Sequence, residues 1–142
     1  ILLAPDGSVA EGPGFNLFIV RDGRVITPDA GALEGITRRT LLDICAERGI
    51  PAEVRPISRE ELLDADEILS CTTAGGVMPI TRIEDRIVGN GAPGPVSMAL
   101  RELYWARHAD PAETTPVPYP TGSGDPETPE LRATGRDFIP SP

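Results

Sequence analysis

Lysine is absent from this chain, and all thirteen basic residues are arginine. A guanidinium stays protonated in proteins, so no side chain here can act as an amine nucleophile or a titrating amine base. Histidine occurs once, at His108, and there are only two cysteines, which leaves too few soft donors for a clustered metal site. Cys45 and Cys71 each lie among apolar neighbours, a setting that predicts buried thiols and no disulfide. No stretch reaches the roughly eighteen uninterrupted apolar residues of a membrane-crossing helix. The opening Ile1-Leu2-Leu3-Ala4 is too short, and lacks the basic flank, to be a signal peptide. A soluble, cytoplasmic protein with no membrane partner is expected. Twenty-two acids outnumber the arginines, giving a net charge of −9 and a pI near 4.5. No continuous basic surface is left for a phosphate backbone, so nucleic acid is not expected as a partner.

The 142 residues, 39% of them apolar, are enough for one domain with a core. Eight of the sixteen prolines fall between Asp110 and Pro142, interleaved with Thr, Glu, Gly and Asp. That composition divides the chain into a compact unit over 1–109 and a Pro-rich tail over 110–142. The apolar run at Ile1, with no initiator methionine before it, reads as a fragment that begins inside a strand.

Within the compact unit, Leu2-Leu3, the turn Pro5-Asp6-Gly7 and Val9 to Glu11 suggest a strand pair. Asn16 to Arg21 and Arg24 to Ile26 flank Asp22-Gly23, the signature of a tight primed hairpin turn. Thr37 to Arg48 puts Leu41, Leu42 and Cys45 on one helical face and stops at Gly49. Ala52 to Arg55 is expected as a strand, and Ser58 with Glu61 as a capping box opening a second helix. Glu67 to Thr72 returns to strand, Met78 to Ile83 and Arg86 to Val88 suggest another hairpin, and Val96 to His108 a helix started near Pro95. The order implies an α+β or α/β domain around a partly antiparallel sheet.

Three local patterns carry chemistry. Gly35-Ile36-Thr37 opens a helix, whose unpaired N–H groups and positive dipole end favour an anion, with the Thr37 hydroxyl beside them. Taken alone, the pattern is better read as a plain N-cap at Gly35 with Thr37 in the first turn. Thr72-Thr73-Ala74-Gly75-Gly76 ends an apolar strand with two hydroxyls and two glycines that let a backbone approach a ligand closely. Glu11, at a strand end before Gly12-Pro13-Gly14, offers a carboxylate able to hold a protonated heterocyclic nitrogen. Together they describe a pocket for a phosphorylated heteroaromatic group. His108, at a helix end, is expected to meet the last carbonyls, Tyr104-Trp105 to pack the last helix onto the core, and Arg38-Arg39 to pair with acids such as Asp43 or Glu34.

Four segments in order, APDGSVAEGPGFNLFIVRDGRVITP, GALEGITR, CTTAGGVMPIT and LYWARH, resemble the class IV, or fold-type IV, pyridoxal-phosphate aminotransferases over residues 1 to about 108. CTTAGG and LYWARH are most similar to the (R)-selective amine transaminase branch. Branched-chain and D-amino acid transaminases and aminodeoxychorismate lyase share the earlier motifs. The resemblance implies the C-terminal large domain of that fold, a mixed sheet or barrel-like core flanked by helices, and pyridoxal 5′-phosphate as cofactor. It implies that Glu11 pairs with the pyridine nitrogen and Leu33 lies on the ring face. It gives the phosphate to Gly35, Ile36 and Thr37 at the helix start and to Thr73, while Thr72 and Ala74 border the substrate pocket behind a wall kept thin by Gly75 and Gly76. It further implies amine or amino acid and keto substrates, and a homodimer.

One departure is large, because the family's Schiff-base lysine lies upstream of the DGSVAEG hairpin and this chain has none. Two readings follow. Either these residues are the C-terminal half of a longer aminotransferase whose N-terminal half carries the lysine, or they form a lysine-free, non-catalytic module that binds a ligand or a protein partner.

Overall fold

The computed structural model describes residues 1–116. The Pro-rich tail expected over 110–142 lies outside the described residues from position 117 onward.

The clearest local signal becomes the centre of the sheet. Strand β1 (Asn16–Arg21) and strand β2 (Arg24–Thr27) form an antiparallel hairpin, and both turn residues, Asp22 and Gly23, have positive φ as the primed turn demands. Helix α1 (Ile36–Arg48) follows and stops at Gly49, which adopts the left-handed conformation while the Ile50 N–H closes back onto the Cys45 carbonyl. Strand β3 (Ala52–Val54) pairs parallel with β2, short helix α2 (Arg59–Leu63) crosses next, and strand β4 (Glu67–Thr72) pairs antiparallel with β1. Strand β5 (Gly76–Ile80) completes a mixed, five-stranded sheet in the order β3-β2-β1-β4-β5. The small hairpin β6 (Arg82–Ile83) and β7 (Arg86–Ile87) and the helix α3 (Pro95–Arg107) come last. The architecture is α+β, with an open mixed sheet as core.

β1 has apolar side chains on both faces, and strand alternation sorts them into two cores. Phe18 and Val20 join Leu41, Ile44, Cys45, Leu100 and Tyr104 beneath α1 and α3. Leu17 and Ile19 join Val9, Ile26, Ile57 and Leu62 on the other side. Cys45 and Cys71 are both buried free thiols.

Several expectations are corrected. The pair Leu2-Leu3 with Val9 to Glu11 does form, but as a short antiparallel ladder outside the sheet: Leu3 bridges Val9, the Leu2 N–H donates to the Glu11 carbonyl at 2.7 Å and the Ala10 N–H to the Leu2 carbonyl at 3.0 Å. The run Met78 to Ile83 breaks at Thr81: Ile80 is already opposite Ile68, one residue inside the start of β4, so the chain soon outruns its partner strand and turns into its own hairpin. At α2, the Ser58 hydroxyl accepts from the Glu61 N–H at 3.0 Å, but the Glu61 carboxylate takes a two-pronged bond from Arg55 and leaves the capping box half built. A charge-assisted fork outcompetes a neutral backbone N–H. Arg38 makes no ion pair with Asp43 or Glu34. It is buried, donating to the Thr27 hydroxyl at 3.2 Å and the Pro28 carbonyl at 2.7 Å, because it shares the inward face with Leu41, Leu42 and Cys45. The Tyr104-Trp105 pair packs α3 onto the core as expected, but through Tyr104, at 5% exposure, while Trp105 is 42% exposed. His108 places Nδ1 3.1 Å from the Tyr104 carbonyl, at the helix end as expected.

Candidate functional site

Three segments distant in sequence meet at one end of the sheet. The turn 12–15 is closed by Gly12 and Phe15, each donating its N–H to the other's carbonyl at 3.0 and 3.2 Å, and the Phe15 ring fills the space above Gly12. Asn16 then starts β1 directly opposite Cys71 of β4, so the β1–β4 register sets the Glu11 turn beside the Thr72-Thr73 strand end. The loop 28–35 returns over this edge and delivers α1. Between them lies a cleft of about 410 Å³, lined by Glu11, Phe15, Asn16, Leu33, Gly35, Ile36, Thr37, Cys71, Thr72 and Thr73 together with Gly14 and Glu34. That volume suits a small ligand or cofactor.

The two ends of the cleft differ in charge. At one, Glu11 Oε2 accepts from Asn16 Nδ2 at 3.0 Å and from the Leu33 N–H at 2.9 Å. At the other, α1 begins at Gly35, whose extended conformation supplies no side-chain cap. Among the described residues no backbone acceptor takes the N–H of Ile36 or Thr37, and Thr37 and Thr73 line the cleft beside them. Unpaired first-turn amides and two hydroxyls form an anion cradle. Leu33 and Ile36 add exposed apolar surface, at 72% and 83%, that a flat ring could cover. The Cys71 thiol at the floor is pushed up to about 12 by burial, with Arg38 pulling the other way, so it is a neutral wall.

Of the residues the sequence picked out, Glu11, Leu33, Gly35, Ile36, Thr37, Thr72 and Thr73 all line this cleft. Ala74 does not. It sits on the turn beyond, its N–H donating to the Thr72 hydroxyl at 3.1 Å. Gly75 and Gly76 are also outside the lining, and their missing side chains make room for Met78 and Trp105 instead. Asn16, Phe15 and Cys71 escaped the sequence reading. A polar residue opening the otherwise apolar NLFIV run was the available signal for Asn16.

Comparison with known proteins identifies the family and the fold. The profile of the family described as "Amino-transferase class IV" matches residues 1–83. A probable branched-chain-amino-acid aminotransferase of Aquifex aeolicus is 44% identical over 108 residues, covering 74% of this chain and 35% of the relative. A D-alanine aminotransferase of Bacillus licheniformis is 36% identical over 98 residues, covering 68% and 35%. Among solved structures, the branched-chain amino acid aminotransferase from Thermobaculum terrenum in its PLP-bound holo form superposes with a TM-score of 0.69 at 42% identity, covering 72% of this chain and 34% of that one. The chain belongs to the class IV aminotransferase family and has its fold. It spans about a third of the length of these curated relatives.

Proposed function

We propose that these residues are the cofactor-binding part of a pyridoxal-phosphate-dependent aminotransferase that moves an amino group between an amino acid or amine and a 2-oxo acid or ketone. The observation that carries the proposal is the convergence of one oriented carboxylate and one uncapped helix start on a single cleft. Pyridoxal phosphate, when bound, supplies an electron sink for carbanion chemistry. Glu11 would hold the protonated ring nitrogen, since its Oε2 is already engaged by Asn16 and Leu33 and Oε1 is left for the ligand. Leu33 would cover a ring face. The N–H groups of Ile36 and Thr37 and the hydroxyls of Thr37 and Thr73 would hold the phosphate. Thr72 would face the substrate. The covalently bonding lysine must lie outside residues 1–142, and the arrangement is completed by a homodimer in the cytoplasm, consistent with two cysteines that stay thiols.

The relatives named above act, by name, on branched-chain amino acids and D-alanine, which favours an amino acid donor. A simple (R)-amine donor is the second reading, favoured by the likeness of CTTAGG and LYWARH to that branch.

The test uses the full-length protein. Incubation with pyridoxal phosphate, borohydride reduction and peptide mapping should place the label on a lysine outside residues 1–142, and L-isoleucine should then donate nitrogen to 2-oxoglutarate. Transfer from (R)-1-phenylethylamine but from no amino acid would select the amine reading. Absence of both label and transfer would leave the lysine-free binding module.

A further inference from the structure

We propose that Asn16 is a positioning residue of the cleft: one buried amide that ties the Glu11 carboxylate, the loop 28–35 and the start of α1 into a single arrangement. The proposal rests on the cofactor reading above.

Asn16 is only 6% exposed and opens a strand whose next four residues are apolar. A buried carboxamide is costly unless its hydrogen-bonding capacity is used. Here both donors are used, to Glu11 Oε2 at 3.0 Å and to the Leu33 carbonyl at 2.8 Å. Both partners are pure acceptors, which fixes which end of the amide is nitrogen. The Leu33 N–H returns to the same Glu11 oxygen at 2.9 Å, closing a ring of three hydrogen bonds. On its other side the amide oxygen occupies the space a side chain at Gly35 would need, so the helix N-cap is glycine because Asn16 is there.

The consequence is geometric. The acid end and the anion end of the cleft are set relative to each other by this side chain. A loop carrying Pro28 and Gly31 would otherwise have to do so alone. Losing the amide frees the carboxylate to rotate and the loop to drift, while the two cores under β1 stay packed.

The experiment compares Asn16→Ala, Asn16→Asp, Gly35→Ala and the Asn16→Ala/Gly35→Ala pair in the full-length protein. Three quantities are read: pyridoxal phosphate affinity, visible circular dichroism of the bound chromophore, and thermal midpoint. Both Asn16 variants should weaken binding on the order of tenfold or more, since the hydrogen bonds to the Glu11 carboxylate and to the loop at the Leu33 carbonyl are both lost, and should change the dichroic band. Asn16→Asp should weaken binding at least as much as Asn16→Ala, because it keeps the shape, loses both donors and turns a second carboxylate towards Glu11. Gly35→Ala should perturb the band in the parent and much less when Asn16 is already Ala. If the Asn16 variants do not fold, Gly35→Ala alone reads the contact through the same band. Unchanged affinity and dichroism, or a Gly35→Ala effect of equal size in both backgrounds, would overturn the inference alone. A parent protein that acquires no visible dichroism with pyridoxal phosphate would overturn the cofactor reading, and the inference with it.

Discussion

The Glu67 carboxylate lies across the start of α3, in the space a side chain at Gly94 would need. Its Oε1 accepts the Val96 N–H at 2.9 Å and its Oε2 the Ser97 N–H at 2.8 Å. A residue twenty-nine positions earlier, at the first position of β4, thus caps a helix that has no cap of its own. Glu67→Ala strands two first-turn N–H groups and removes a favourable dipole partner, so unfolding free energy should fall by about 2–3 kcal/mol. Glu67→Gln should cost about half as much, since it keeps one oxygen acceptor and turns an N–H donor against a second. Denaturant midpoints at unchanged slope measure both. An Ala variant as stable as the parent would show the cap to be idle.

Gly76 joins the last two motifs of the resemblance, CTTAGGVMPIT and LYWARH. Its φ of +61° is a left-handed conformation, and a Cβ there would meet the Trp105 indole at 2.7 Å and the Tyr104 ring at 3.0 Å. Gly76→Ala should cost about 2–3 kcal/mol, combining the conformational penalty with the clash. Adding Trp105→Ala should recover the indole's share of the clash but neither the tight Tyr104 contact nor the conformational part. A double-mutant cycle on thermal midpoints separates the two, and strict additivity would disprove the contact.

Glu11, Thr37 and Thr73 were legible in the sequence because each sits in a short pattern whose chemistry is local: an acid before a glycine turn, a glycine opening a helix, a threonine pair ending a strand. The central hairpin and α1 were legible for the same reason, through Asp22-Gly23 and the Gly49 stop. What stayed hidden depends on register. Asn16 matters because β1 pairs it with Cys71 and the loop returns over it, neither of which a single stretch of chain records. Arg38 misled because charge suggested an ion pair, while its spacing to Leu41, Leu42 and Cys45 already placed it inside. Ser58 and Glu61 match a capping box, but Arg55 competes for the acid.

Glu11→Gln separates charge from shape at the acid end. Glutamine keeps an oxygen able to accept from Asn16 and Leu33, so the fold and the loop position should persist with little change in thermal midpoint. The charge that would hold a protonated ring nitrogen is gone, and turnover of the full-length enzyme should fall on the order of a hundredfold or more, as for other preorganised electrostatic contacts. Steady-state kinetics and the spectrum of the bound cofactor check this together. An unchanged turnover number would remove Glu11 from its proposed place at the ring nitrogen.

The two thiols give a pH dependence whose sign follows from burial. Desolvation pushes Cys45 up to about 11 and Cys71 up to about 12, whereas an unfolded thiol titrates near ~8.5. Because the folded values are the higher ones, the stabilisation is present in full below the unfolded value and is lost as pH rises towards the folded values. Between about pH 9 and 11 each thiol should therefore steepen the loss of stability by about 1.4 kcal/mol per pH unit. Replacing both with alanine costs stability at neutral pH through lost packing, yet should flatten this alkaline limb, and comparison with the parent cancels every other group that titrates there. Native protein should react with a thiol-titrating disulfide reagent only as fast as it unfolds. A parallel alkaline slope in the double variant, or rapid native labelling at pH 8, would place the thiols in contact with water and contradict their burial beneath α1 and at the cleft floor.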